Sequence, residues 1–180
     1  MKIVIAGGFG VGKTTMVGAV SEIEPLTTDE TLTTASLGTD RLEGVSGKTT
    51  TTVSMDFGRI TLASRKIVLL LFGTPGQERF WFMWDDLALG AIGAVVLADT
   101  RRLLDCFAAV EYFELRGIPF VVAVNEFDGA YSYSPEEVRD ALELKPDVPV
   151  LLCDARDTVS GRQVLLTLLE YAYRLSLSGV

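Results

Sequence analysis

Histidine is absent from this 180-residue sequence, and its absence excludes more chemistry than any other feature of the composition. Without it there is no Ser-His-Asp triad, no histidine general base and no histidine-ligated metal. Cysteine is nearly absent too, because the chain has Cys106 and Cys153 alone. Two cysteines supply neither a four-thiolate zinc site nor a disulfide scaffold, so the expected compartment is a reducing cytoplasm.

Long apolar runs and positive charge are also in short supply. The longest apolar runs are residues 67–72 and 94–98, far below the ~18 residues that span a bilayer, so no direct membrane anchor is expected. The chain has 16 Lys and Arg against 24 Asp and Glu, a net charge of −8. That balance disfavours nucleic acid as a partner and adhesion to anionic membranes.

The sequence alternates short apolar runs with longer segments of helical spacing. Most of these runs are nearly continuous, which is typical of strands buried on both faces, whereas the run at 51–63 alternates and pairs with 67–72 as a hairpin. The alternation predicts one α/β domain over 1–180, with a mostly parallel six-stranded sheet and helices on both faces. Residues 25–52 show no period and are expected to form an irregular loop. The predicted strands are 2–6, 51–63, 67–72, 91–98, 118–124 and 149–152.

A phosphate-binding pattern, G-x-x-x-x-G-K-[ST], occupies residues 7–14, directly after the first predicted strand and before a helix. Its glycines let the backbone wrap closely around a phosphate, which the successive N–H groups and the helix N-terminus hold. Lys13 adds a charge at the β- and γ-phosphates, and the Thr14 hydroxyl is placed to ligate Mg²⁺. This P-loop is predicted to contact a nucleotide through Gly8, Gly10, Val11, Gly12, Lys13, Thr14 and Thr15.

Two later segments bear on which base is bound. Residues 125–128 read Asn-Glu-Phe-Asp after a buried strand and resemble the N-K-x-D motif of GTPases, with Glu126 in place of the lysine. A carboxylate such as Asp128 accepts hydrogen bonds from guanine N1–H and the exocyclic amine, whereas adenine offers the reverse pattern. Ala155 and Arg156 follow the last strand where GTPases carry S-A-K. The predicted base-binding residues are therefore Asn125, Asp128, Ala155 and Arg156.

Residues 73–80 follow another buried strand and resemble the D-x-x-G-Q-E segment of Ras-like GTPases. In that arrangement the Gly76 N–H donates to the γ-phosphate and Gln77 orients the attacking water, which makes Gln77 the predicted catalytic residue. Threonines fill residues 49–52, where such proteins place a threonine that binds Mg²⁺, and Thr52 is favoured among them.

One position departs from that pattern. The aspartate that holds a Mg²⁺-bound water in these GTPases is replaced by Gly73. Either another carboxylate substitutes or Mg²⁺ binds weakly. Asp56, in the second predicted strand, and Asp99, at the end of the fourth, are the two candidates.

Taken in order, these motifs span residues 1 to about 175 and resemble the bacterial small Ras-like GTPases of the MglA group, above all the actinobacterial conservon GTPases of the CvnD type. Loss of the aspartate at the Gly73 position is itself a trait of that group. The resemblance implies a Mg²⁺-dependent GTP/GDP switch in the cytoplasm, recruited to the membrane by a partner. It also implies a roadblock/LC7-type small protein and a sensor-kinase-like complex as partners.

Hydrolysis is expected to be slow. Better-known members of that group carry an arginine near the first switch, but here threonines and a serine precede Asp56, with Lys48 and Arg41 further back. Two other functions stay open from the sequence. Gly73 and the missing arginine favour a nucleotide-dependent binding scaffold with little hydrolysis, and the imperfect motif at 125–128 favours an ATP-binding regulator.

Overall fold

The computed structural model describes residues 1–32, 51–62, 66–76 and 82–178. These residues form one sheet of seven strands packed between helices. The strands are β1 (Lys2–Gly7), β2 (Leu26–Leu32), β3 (Thr51–Leu62), β4 (Ile67–Gly73), β5 (Ala91–Ala98), β6 (Phe120–Asn125) and β7 (Val150–Cys153). The helices are α1 (Lys13–Val20), α2 (Trp84–Ala88), α3 (Phe107–Leu115), α4 (Pro135–Ala141) and α5 (Thr158–Leu177), with a 3₁₀ segment (Thr100–Cys106) before α3. Among the described helices, none is long and apolar enough to cross a membrane.

The sheet has the strand order β2-β3-β4-β1-β5-β6-β7. Strands β4, β1, β5, β6 and β7 are parallel to one another, and β3 and β2 extend the sheet beyond β4 as antiparallel edge strands. The predicted α/β class, the mostly parallel sheet and the hairpin that joins residues 51–63 to 67–72 are therefore confirmed.

The number of strands was wrong by one. β2 lies inside the segment 25–52 that was expected to be irregular, and it pairs with β3 from Leu26 opposite Phe57 to Leu32 opposite Thr51. An edge strand is held by its backbone ladder on one side, so it needs no regular apolar pattern. Threonine favours extended backbone, but a threonine-rich polar stretch gives no periodic signal.

The core has one layer on each face of the sheet. Side chains alternate along β1, so Ile3 and Ile5 join the layer under α1 and α5, and Val4 and Ala6 join the layer under α3 and α4. All four are at most 1% exposed. This two-sided burial is why β1 reads as a continuous apolar run, and it fixes the loop after β1 in position between the two layers.

The two cysteines belong to opposite core layers, Cys153 beside α5 and Cys106 at the start of α3. Both are free thiols. Burial raises the pKa of each to about 12, because a thiolate is poorly solvated inside the core. At neutral pH they are packing groups, since the thiolate is the nucleophilic form.

Candidate nucleotide site at the carboxyl edge of the sheet

The predicted site residues meet at one edge of the sheet. β1, β4, β5, β6 and β7 are parallel, so their carboxyl ends lie side by side. The P-loop follows β1, Gly76 follows β4, Asn125 ends β6, and Ala155 follows β7. In open α/β sheets, ligands bind in the crevice outside the carboxyl ends of the strands.

The P-loop takes a backbone path that needs glycine. Gly12 precedes α1 with a φ of 102°, in the left-handed region that L side chains rarely adopt. A Cβ at Gly12 would also lie 2.7 Å from the Asn125 amide nitrogen. Close packing against Asn125 therefore fixes how α1 begins, and the first N–H groups of α1, which have no partner within the helix, are directed into the loop.

Lys13 lies at the centre of this loop and is only 8% exposed. Its Nζ donates to the carbonyl oxygens of Gly7 at 2.9 Å and Gly8 at 2.6 Å. Burial lowers the pKa of Lys13 to about 8, and the negative charge of Asp56 opposes that shift. A buried ammonium held by neutral carbonyls gains most when an anion approaches, so this loop favours a phosphate.

Asp56 occupies the space that the missing aspartate at position 73 would need. β3 and β4 pair with Asp56 opposite Gly73. A Cβ at Gly73 would lie 3.0 Å from Asp56 Oδ2 and 3.1 Å from Asp56 Cβ. Thr14 Oγ1 donates to the same carboxylate oxygen at 2.6 Å. The neighbouring strand thus delivers a carboxylate to the P-loop threonine.

The other candidate carboxylate does not reach this point. Asp99 is buried, and the Arg101 guanidinium holds it through two hydrogen bonds of 2.9 and 2.7 Å. Those hydrogen bonds are the main reason that the pKa of Asp99 lies below its usual value. Of the two alternatives that the sequence leaves open, the structure therefore brings Asp56 to Thr14.

The oxygen atoms around Thr14 suit Mg²⁺. A hydroxyl and a carboxylate are hard ligands of the kind that Mg²⁺ takes from proteins, with phosphates and waters completing the octahedron. Thr14 and Asp56 are the residues that would hold the ion. The predicted third residue, Thr52, lies in β3 opposite Thr31, and its side chain is outside the part of the chain that the structure describes.

Gly76 contacts the P-loop directly. A Cβ there would lie 2.9 Å from the Phe9 Cα and 3.0 Å from the Gly8 carbonyl carbon, so only glycine allows this approach. The Thr74 N–H donates to the Ile5 carbonyl at 2.9 Å, which holds the segment against β1. The predicted catalytic residue Gln77 follows immediately and lies outside the described residues.

Asn125 ties two loops together. Its Nδ2 donates to the Val11 carbonyl at 3.0 Å, and its Oδ1 accepts from the Ala155 N–H at 3.0 Å. Asn125 is 6% exposed and Ala155 is 1% exposed. The structure thus gives Asn125 a bracing position between the P-loop and the loop after β7.

Removing that brace is expected to destabilise the protein. Asn125→Ala leaves the buried Ala155 N–H without its acceptor, which costs about 1–3 kcal/mol of unfolding free energy. Urea unfolding of the nucleotide-free protein measures it. The matched control is Glu126→Gln, which changes an exposed neighbour and is expected to leave the unfolding free energy unchanged. Equal stability of the two variants would show that the brace is unimportant.

Asp128 and Arg156 lie together on the exposed rim. Arg156 Nη1 donates to Asp128 Oδ2 at 3.1 Å, and Arg156 also pairs with Asp154 at 2.9 Å. The hydrogen bonds from Arg156 lower the pKa of Asp154, and the two carboxylates raise the pKa of Arg156. The Asp128 side chain is 87% exposed, so its carboxylate can leave Arg156 for another hydrogen-bond donor at little cost in free energy.

Sequence reasoning missed one basic residue at the site. Arg102 Nη2 donates to the Phe9 carbonyl of the P-loop at 2.8 Å. The available signal was an Arg-Arg pair that follows a buried strand, but nothing in the sequence tells that pair from an ordinary solvated loop. Its neighbour Arg101 stacks 4.0 Å from the Phe127 ring centroid instead.

Solved structures share this arrangement of strands and helices. The G domain of the FeoB iron transporter of T. maritima superposes with a TM-score of 0.64 at 18% identity, over 96% of this chain and 98% of that chain. The FeoB G domain of Methanococcus jannaschii gives 0.62 at 14%, over 96% and 97%. The cytosolic domain of T. maritima FeoB in a GDP form gives 0.65 at 17%, over 95% of this chain, which spans only 62% of that domain. At these identities the likeness shows the fold.

Sequence comparison identifies the family. An uncharacterized protein of Methanocaldococcus jannaschii, MJ1339, is 30% identical over 130 residues, which is 71% of each chain. The model of the family described as conserved hypothetical ATP binding protein matches residues 5–175. The chain therefore has a G-domain fold and belongs to the family of conserved hypothetical ATP binding proteins.

Proposed function

We infer that this protein binds GTP and GDP as a molecular switch and hydrolyses GTP slowly to GDP. The observation that carries this inference is that the P-loop, the segment after β4 and the loop after β7 meet at one edge of the sheet. There Lys13 lies inside the P-loop, Thr14 donates to Asp56, and Asn125 joins the P-loop to the loop after β7. The G-domain fold supports the same conclusion.

Each residue of the site has a chemical role in this function. The P-loop N–H groups and Lys13 bind the phosphates. Thr14 and Thr52 would bind Mg²⁺ directly, and Asp56 would hold one of its bound waters. When bound, Mg²⁺ neutralises charge on the β- and γ-phosphates. The Gly76 N–H donates to the γ-phosphate, and Gln77 orients the water for in-line attack.

The finer assignment is a switch of the MglA group, of the conservon type, in bacterial signalling. Replacement of the aspartate by Gly73, with a carboxylate delivered from β3, supports this assignment. It brings with it a roadblock/LC7-type partner, a sensor-kinase-like complex and a cytoplasmic protein that its partner recruits to the membrane. Co-purification of the chain with such a small partner in the GTP state alone tests this assignment.

An ATP-binding regulator is the second candidate. The family description names ATP, and Arg156 engages the Asp128 carboxylate that would read guanine. Asp128 separates the two candidate functions, because guanine offers its carboxylate two hydrogen-bond donors and adenine does not.

The deciding experiment is the nucleotide content of the freshly purified protein, followed by competition of ATP against labelled GDP. We expect bound guanine nucleotide and exclusion of ATP. Asp128→Ala should cut the preference for GDP over ADP about tenfold, since a bidentate base contact is worth ~1–3 kcal/mol. Asp140→Ala, which removes an exposed carboxylate from α4, is the control and should change nothing. ATP and GDP binding with equal affinity would overturn the guanine assignment.

A further inference from the structure

A second cation rests against the P-loop. Arg102 belongs to the 3₁₀ segment Thr100–Cys106 after β5, and it donates to the Phe9 carbonyl at 2.8 Å. The same nitrogen lies 3.7 Å from the place where a Cβ on Gly10 would stand. Its guanidinium therefore lies beside the part of the loop that wraps a phosphate.

The backbone conformation around Arg102 places this residue beside the P-loop. Arg102 has a φ of −145° and a ψ of 51°, which breaks the helical geometry of the segment, while its N–H donates to the Asp99 carbonyl at 2.9 Å. Three residues later, the Asp105 side chain packs on the loop, with its Cβ 2.6 Å from the position of a Cβ on Gly8. The segment is thus docked on the P-loop at two places.

The side chain of Arg102 is nevertheless held loosely. It is 48% exposed, and its ion pairs with Asp99 and Asp105 are both 3.8 Å long. At 3.8 Å neither ion pair is a hydrogen bond, and the Arg102 end of both pairs is half exposed to solvent, so they hold the guanidinium weakly. Arg101 differs, because it makes two short hydrogen bonds to Asp99 and stacks on Phe127. Arg102 is therefore free to exchange its Phe9 carbonyl for a stronger acceptor.

A nucleotide phosphate is such an acceptor. A phosphate carries negative charge, so it attracts a guanidinium more strongly than a neutral carbonyl does, and the planar fork of arginine matches phosphate oxygens. The N–H groups of the P-loop would hold the phosphates against this loop, which Arg102 already contacts through the Phe9 carbonyl. A half-exposed guanidinium keeps enough rotamer freedom to make that turn.

We propose that Arg102 is the intrinsic arginine of the hydrolysis reaction, supplied by this chain from the segment after β5. The inference rests on the proposed function and deepens it. In the reaction the water oxygen bonds to the γ-phosphorus, and the bond from that phosphorus to the β–γ bridging oxygen breaks. The electron pair remains on the β-phosphate of GDP, and the water proton leaves with inorganic phosphate. Arg102 stabilises the charge that develops on those oxygens.

The test compares the wild-type full chain with Arg102→Ala, Arg102→Lys and Arg116→Ala. Arg116 pairs with Asp85 away from the P-loop and is the control for loss of one exposed arginine. Three quantities are measured for each protein: the single-turnover rate of GTP hydrolysis, the GDP dissociation constant, and the affinity of the GDP complex for aluminium fluoride, which mimics the transition state.

We expect Arg102→Ala to slow hydrolysis at least about tenfold, a small part of the roughly 10³-fold effect of a fully placed arginine finger. It should weaken aluminium fluoride binding in parallel and leave GDP affinity at the wild-type value. Arg102→Lys should recover part of the rate, and Arg116→Ala should behave as wild type. A purely structural role would lower GDP affinity and leave the aluminium fluoride step unchanged.

Two results would overturn the inference: hydrolysis by Arg102→Ala at the wild-type rate, or a loss of rate fully explained by weaker GDP binding. Failure of the proposed function looks different. In that case the wild-type protein itself takes up neither GTP nor GDP, or holds GTP without turnover and without an aluminium fluoride complex.

Discussion

Replacing Lys13 with Gln is expected to weaken GDP binding about 100-fold, since hydrogen bonds to a charged group contribute ~1.5–3 kcal/mol. In the structure the ammonium group donates hydrogen bonds to the neutral carbonyls of Gly7 and Gly8. Phosphate oxygens replace those carbonyls as acceptors when a nucleotide binds. Glutamine keeps a donor at this position but carries no charge, so the variant isolates the contribution of the charge.

The same residue should make GDP binding depend on pH. Burial holds the pKa of Lys13 at about 8, and a bound phosphate raises it again, so binding takes up a proton at higher pH. GDP affinity is therefore expected to fall about tenfold between pH 7 and pH 9, as follows from linkage. Stability of the nucleotide-free protein changes in the opposite sense. The unfolded chain keeps its lysine proton up to its usual pKa of 10.5, so the unfolding free energy gains with pH above 8.

Calorimetric titration of GDP at several pH values between 7 and 9 measures the affinity and its pH dependence, and urea unfolding of the nucleotide-free protein over the same range measures the change in stability. Lys145→Gln removes an exposed lysine and is expected to keep the wild-type affinity and its pH dependence. Lys13→Gln should bind weakly with a flat profile. A flat profile in the wild-type protein would contradict the depressed pKa of Lys13, and wild-type affinity in Lys13→Gln would contradict its role.

The sequence was sufficient for those parts of the site that are contiguous in the chain. The P-loop needs glycines, a lysine and a threonine at fixed spacing, because one backbone path positions all of them. Strands buried on both faces, such as β1 and β5, are continuous apolar runs for the same local reason. Asn125 was found through its place at the end of β6, but its hydrogen bond to the Ala155 N–H joins residues 30 apart and depends on the fold.

Contacts between strands could not be predicted in the same way. Asp56 was one of two candidates, since the sequence places it within the second predicted strand and Asp99 at the end of the fourth. Only the register of β3 against β4 sets Asp56 opposite Gly73. The docking of Arg102 on Phe9 joins residues 93 apart. β2 was missed because its stability depends on pairing with β3, which no local pattern in a threonine-rich stretch reveals.

Moving the carboxylate from β3 to β4 is the sharpest test of the metal site. Asp56→Ala should weaken the Mg²⁺ affinity of the GDP complex roughly 10- to 100-fold, as loss of an outer-shell partner typically does. Gly73→Asp alone should be destabilised, because its new Cβ meets Asp56 Oδ2 at 3.0 Å and a second negative charge enters the same space. The double variant Asp56→Ala/Gly73→Asp frees that space and restores a carboxylate, so it should recover most of the Mg²⁺ affinity.

Mg²⁺ is titrated into the GDP complex of each variant, and the rate of GDP release reports how much Mg²⁺ has bound. Asp99→Asn is the matched control, because it removes the other buried carboxylate near the P-loop and should leave Mg²⁺ affinity unchanged. Loss of Mg²⁺ affinity in Asp99→Asn would show that Asp99, and not Asp56, is the carboxylate of the metal site. A double variant as weak as Asp56→Ala would show that Asp56 stabilises Thr14 and has no part in holding the ion. The double variant places the negative charge on β4 in place of β3. If Asp56 served only in packing, this change could not restore the Mg²⁺ affinity.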